Sequence, residues 1–283
     1  MKSFRIFFSL LIPFSIGTLC AEDSRDRIRL PLRVHLIEGA EMVREAAKPG
    51  GEATRTVMEM PLSIEDATQI MKQVNEIWAP AGIEWITNPA MGGGGIMAEK
   101  AGGGRLSKTE TQKLAQLVVA RDRKSKLNYM SKVYPALADP AKNESINPDG
   151  SLNQDVPRMY HLYLFPYIGQ TLQGTASISG TIAVVGVYSD KKPNKNGFPK
   201  LRPSVVSGKS RPLLSPENFP EDGALSATIA HELGHNLSLL HFDEGMEDNL
   251  MKGHVKLRLS PAQIKQARAQ ARKGPQLGKG GDS

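Results

Sequence analysis

The chain has 283 residues, with 36 Lys and Arg against 29 Asp and Glu, 40% hydrophobic and 23% charged, which is the make-up of a folded protein and not of a disordered one. A single Cys excludes a disulfide scaffold, and the net charge of +7 is scattered, with no basic stripe interleaved with aromatics of the kind nucleic-acid binding needs. In chain order, Lys2 and Arg5 precede an apolar run from Ile6 to Leu19, then Cys20 and Ala21, the three-part layout of a secretory signal peptide. The run is shorter than the ~20 residues of a bilayer span and holds Pro13. Residues 1–21 are therefore expected to be cleaved, leaving a secreted protein (extracellular or periplasmic) with no stable membrane span. Acylation of Cys20 is disfavoured, because Leu19 and Gly17 stand where lipoprotein sites carry a small residue and a Leu.

Alternating apolar residues from Ile28 to Ile37 predict a half-buried strand, and the polar stretch from Ala40 to Pro61 a loop. Ser63 with Asp66 forms a capping-box pattern ahead of Ile64, Ala67, Ile70, Met71, Val74, Ile77 and Trp78 at helical spacing. This helix stops at Pro80 and Gly82, and Ile83 to Thr87 reads as the next strand, so the fold opens on a βαβ unit. The glycine runs between Met91 and Arg105 predict a flexible loop; without a Lys-Ser/Thr ending they do not form a phosphate cradle. Ser107 to Lys126 reads as a polar helix, Tyr160 to Phe165 as a strand, and Ser177 to Val187 as another with a bend at Gly180. Asp190 to Gly223, rich in Pro, Lys and Arg, reads as irregular. Ser260, Pro261 and Gln263 cap a last helix, and the Gly- and Lys-rich tail from Gly274 is expected to fray.

The chemistry is concentrated between Leu225 and Leu240, LSATIAHELGHNLSLL, where Leu225, Ile229, Leu233 and Leu237 mark the apolar side of a helix. His231 and His235 are four apart, which stacks both imidazoles on one helical face where they can bind the same ion. Glu232 lies beside them and can accept a hydrogen bond from water at such an ion. His241 reaches the same point only if the chain turns sharply near Ser238, and it would then leave a fourth corner for water. Two alternatives stay open at this stage: Glu244 or Glu247 as the third ligand, and a zinc-stabilised binding or adhesion module without catalysis. A surface-binding role resting on the basic Pro-rich segment alone is a further alternative.

HELGHNLSLLH resembles the elongated zinc motif HExxHxxGxxH of the metzincin metallopeptidases. The resemblance implies one catalytic Zn²⁺ held by His231, His235 and His241, Glu232 as general base, and a peptide or protein as substrate, cut within its chain. It also implies a methionine turn under the zinc, placed at Met251 with Met246 as the other candidate, and an edge strand for substrate at Gly174, Thr175 and Ala176. The expected fold is α+β: a metzincin-like zincin with a twisted mixed sheet, an opening βαβ unit and an active-site helix, then a small C-terminal subdomain with Met-turn and helix. Its catalytic domain would span residues 22–273, the upper part 22–237 and the lower part 238–273, with a flexible tail at 274–283. The sequence departs from the family's pattern in two places. Ser238 replaces the glycine where the helix must break, and Gly253, followed by His254, stands where some members carry a Tyr that reaches the zinc, so no fifth ligand is expected. Phe242, after the third His, does not single out one group within the family.

Overall fold

The computed structural model describes residues 27–38, 40–44, 54–100, 159–168, 174–189, 200–201, 205–206, 209–210, 224–241, 248–252 and 257–277. The signal-like segment, the polar helix read at Ser107 to Lys126 and most of 190–223 lie outside these residues.

The sheet runs in the order β4-β1-β6-β8-β7, formed by Ile83–Ile86 (β4), Ile28–Glu38 (β1), Tyr160–Phe165 (β6), Ile182–Gly186 (β8) and Gly174–Ala176 (β7). All pairings on this path are parallel except β7 with β8, so the sheet is mixed with one antiparallel strand at its edge. Helix α1, Ile64–Trp78, connects β1 to β4 and makes the predicted βαβ unit, with both halves of the Ser63–Asp66 capping box formed. Helices α2, Leu225–Asn236, and α3, Pro261–Ala271, complete the α+β fold.

The second half of β1 pairs with Gly95–Lys100 (β5) on the edge that β4 occupies along its first half. The joint between β4 and β5 is the first glycine run, which is packed and not a flexible loop. Gly92 and Gly95 take positive φ (86° and 84°), and a Cβ on Gly93 or Gly94 would strike the backbone of Ile86 and Thr87 or of Arg33. The polar stretch after β1 is likewise not a loop throughout, since Ala40–Arg44 (β2) and Thr54–Met58 (β3) pair as an antiparallel hairpin. The strand read from Ser177 is a turn followed by β8, and within 190–223 the described pieces are three two-residue strands, Lys200–Leu201, Val205–Val206 and Lys209–Ser210. The stretch 274–277, read as the start of a free tail, lies on the sheet, where Leu277 N donates to Arg29 O (3.0 Å).

On one face of the sheet, Leu30, Leu32, Val34 and Leu36 of β1 and Leu162 and Leu164 of β6 join α1, α2 and α3 in a single apolar core. The other face is buried too. His35, Ile37, Tyr163 and Phe165 are each 2% exposed or less, so β1 is not the half-buried strand its alternation suggested. There His35 Nε2 lies 3.0 Å from His161 Nδ1, with Tyr163 stacked on His35 at 4.2 Å, which makes these two histidines part of the interior.

Asn75 of α1 caps the open side of β4. Its Nδ2 donates to Trp85 O (3.0 Å) and its Oδ1 accepts from Trp85 N (2.8 Å), satisfying edge groups that no strand among the described residues pairs. Asn75→Ala should strand both backbone groups and cost about 1–3 kcal/mol. In a chain of this size that corresponds to a melting temperature roughly 2–10 °C lower, measured by calorimetry, with metal content unchanged.

Candidate metal centre

Helix α2 carries His231, Glu232 and His235, and all twelve of its residues are buried. The predicted single apolar side is thus an underestimate: Leu225, Ile229 and Leu233 belong to the core, and the polar residues are enclosed as well. The helix also ends earlier than its apolar pattern. Leu237 is the C-cap, and Ser238 follows in the left-handed region at φ 67°. Ser238 N donates to His235 O (2.9 Å) and Leu239 N to Gly234 O (3.0 Å), the paired bonds of a Schellman ending with serine in the usual glycine position. This is the sharp turn that His241 requires.

The turn brings His241 Nε2 to 3.2 Å from both His231 Nε2 and His235 Nε2. Bonds of ~2.05 Å in a tetrahedron put ligand nitrogens about 3.3 Å apart, so His241 already stands from each of the other two at the spacing a shared zinc ion would impose, and all three ligand atoms lie within 4.8 Å of one another. His231 Nδ1–H donates to Leu250 O and His235 Nδ1–H to Leu239 O, both at 2.7 Å, which leaves each Nε2 as a lone-pair ligand. Burial pushes the His231 pKa down to about 4, with the neighbouring His235 and His241 lowering it further and the Leu250 bond opposing them. Burial likewise lowers His235, helped by His241 and opposed by its bond to Leu239. The buried imidazoles are neutral at pH 7, the form that binds metal. His231, His235 and His241 form the group able to hold a metal ion among the described residues. Glu244 and Glu247 lie outside them, as do Met246 and His254.

Met251 is fully buried beneath α2. A Cβ on Gly234 would come within 2.7 Å of Met251 Sδ, so the glycine inside HELGH is what lets the methionine approach the helix. The turn carrying Met251 is fixed from below. Met251 N donates to Asn249 Oδ1 (2.9 Å), and Asn249 exchanges two bonds with Gln263, Nδ2 to Oε1 (2.7 Å) and Nε2 to Oδ1 (3.1 Å). Gln263 Oε1 also accepts from Ser260 N, closing the α3 capping box. The capping box is legible in the sequence but Asn249 is not, because its burial and its pairing with Gln263 exist only in the fold.

Strand β7 lies against α2. The turn after it is joined to the end of the helix by Ser179 N donating to His235 O (3.0 Å) and by Asn236 Nδ2 donating to Ser177 O (2.9 Å) and Ile182 O (3.0 Å). Ser179, itself at φ 59°, also shares a hydroxyl hydrogen bond of 2.7 Å with Ser238. Gly174, Thr175 and Ala176 are therefore at the sheet edge beside the histidine helix, and Gly174 touches Glu232, which is 6% exposed. The serine pair and the Asn236 bonds have no motif of their own.

No protein-family model matches the sequence, and no curated protein matches it. Among solved structures the chain is similar to archaemetzincin from Methanopyrus kandleri, at 14% identity over 90% of this chain and 99% of that one, with a TM-score of 0.38. It is also similar to mature mirolysin from Tannerella forsythia in complex with a cleaved peptide, at 13% identity over 87% and 95% of the two chains, with a TM-score of 0.40.

Proposed function

We propose that the protein is a secreted zinc-dependent endopeptidase. The observation that carries this reading is the convergence of three imidazole Nε2 atoms, two of them with Nδ1 committed to backbone carbonyls, beside a buried glutamate on the same helix. His231, His235 and His241 would hold one Zn²⁺. Bound there, zinc would lower the pKa of water toward ~7 and polarise a scissile carbonyl. Glu232 accepts the proton of the water that attacks the carbonyl carbon, and passes it to the amine as the C–N bond breaks. Gly174, Thr175 and Ala176 of β7 offer the edge along which an extended peptide would lie, and Met251, packed against the helix at Gly234, would support the ring environment without binding metal. The charged start, apolar run and Ala21 of the N-terminal segment support secretion. No helix among the described residues is long and apolar enough to cross a membrane.

Glu232→Gln tests the reading, because it keeps the shape and removes the proton acceptor. Casein cleavage should fall by about 10²–10⁴-fold with zinc content and melting temperature unchanged. A zinc-loaded parent that cleaves nothing across a broad peptide library would leave a metal-stabilised module in its place.

One zinc per chain should be found by elemental analysis, and chelation should lower the melting temperature, since metal held only by the folded state adds its binding free energy to folding. Full metal content in the His235→Ala, His241→Ala double variant would exclude this site.

Stability of the metal-free protein should depend on pH through His231. Folded His231 takes a proton only near pH 4, whereas an unfolded His does so near 6.5. The unfolded chain binds more protons between those values, so stability rises with pH across them and is level above about 6.5. By pH 5 about 2 kcal/mol should be lost, and melts of the chelated protein at pH 5 and 7.5 should show a smaller difference in His231→Gln.

A further inference from the structure

A Cβ built on Gly174 would lie 2.6 Å from both Cγ and Oε1 of Glu232 and 2.8 Å from its Cδ, and these are its three nearest atoms. Gly174 does not need to be glycine for its backbone, since the described glycines at positive φ are Gly82, Gly92 and Gly95. Nor does the fold need it for a crossing of main chains, because what it meets is the end of a flexible side chain. The missing Cβ therefore serves the glutamate. From this contact, and resting on the peptidase reading above, we infer that Gly174 is a positioning residue: its bare Cα forms the seat that holds the Glu232 carboxylate where it takes the proton.

The seat belongs to a rigid frame. Three residues beyond Gly174, Ser177 O accepts from Asn236 Nδ2, and Ser179 N donates to His235 O, so β7 cannot slide along α2 to make room. Ordinary contact begins at 3.4 Å, so an added methyl group must drive the carboxylate away by roughly 1 Å. A displacement of that size costs about 10²-fold in rate when it falls on a reacting group. The three atoms nearest the added Cβ all belong to Glu232 and none to a histidine, so the zinc ligands are expected to keep their places.

Gly174→Ala should lower kcat about 10²-fold on a peptide substrate with KM within about twofold of the parent and one zinc retained. A rise in KM at unchanged kcat would overturn the inference and make Gly174 a substrate contact only; an unchanged kcat and KM, or loss of zinc, would overturn it as well. A second measurement does not depend on activity. In the metal-free protein Gly174→Ala should lower the melting temperature when Glu232 is present, and leave it level or raised in the Glu232→Ala background, where alanine restricts the unfolded chain with nothing to strike. Equal losses in both backgrounds, or failure of the double variant to fold, would refute the seat. An inactive, zinc-loaded parent would defeat the peptidase reading, while this cycle would still decide whether Gly174 seats Glu232.

Discussion

Three imidazole lone pairs aimed at one point repel each other, and no sequence of histidines takes that arrangement on its own. The 3.2 Å separations between Nε2 atoms must be imposed from outside, and much of the surrounding structure can be understood as what imposes them. His231 is tied to Leu250 O and His235 to Leu239 O, and each of these carbonyls belongs to a different turn. One turn is the Schellman ending of α2. The other is the methionine turn, whose own anchor runs through Asn249 and Gln263 to the first turn of α3. Two capped helix ends thus hold two imidazole rings. The apolar core behind α2 supplies the low polarity that keeps those rings neutral.

The sheet contributes position more than chemistry. Its central strands β1, β6 and β8 are buried on both faces, which fixes their register strongly, and α2 packs on the face that also carries α1. The antiparallel strand β7 is the exception, and it is the one that meets the chemistry. Its contacts run in step with the helix: Gly174 against Glu232, Ser177 against Asn236, Ser179 against His235 and Ser238. Glu232, the buried Asn236 and the break of the helix are therefore registered against one short strand and the turn that follows it.

What could be read in the sequence divides along physical lines. His231, Glu232 and His235 were legible because helical spacing alone brings them together, and the capping boxes at Ser63 and Ser260 because a cap is a local bond. The end of α2 was half legible. Leu237 to Leu240 continue the apolar pattern, and only the backbone bonds at Ser238 show the helix stopping at Asn236. The hairpin of β2 and β3 was missed because its strands carry polar residues that show no alternation. The glycine run at 92–95 was misread because composition cannot tell a flexible glycine from one with no space for a Cβ. Asn249, Ser179 and the Gly174 contact are long-range pairs, and one chain without its fold contains no signal for them.

Ser238, in the left-handed position that usually carries glycine, ties the histidine cluster to the edge strand. A serine at φ 67° costs about 1 kcal/mol relative to glycine, and Ser179 at φ 59° carries a similar cost. Their shared hydroxyl bond returns about 0.5–1.5 kcal/mol, so that bond alone leaves both turns near break-even or below. The remaining support comes from Ser179 N on His235 O and from Gln266 Nε2 on Ser238 O (2.6 Å). A glycine would have made the break of the helix without help from its surroundings. With serine, the turn that delivers His241 depends on the turn after β7 on one side and on α3 on the other. The third imidazole, the edge strand and α3 are thereby held through one and the same turn.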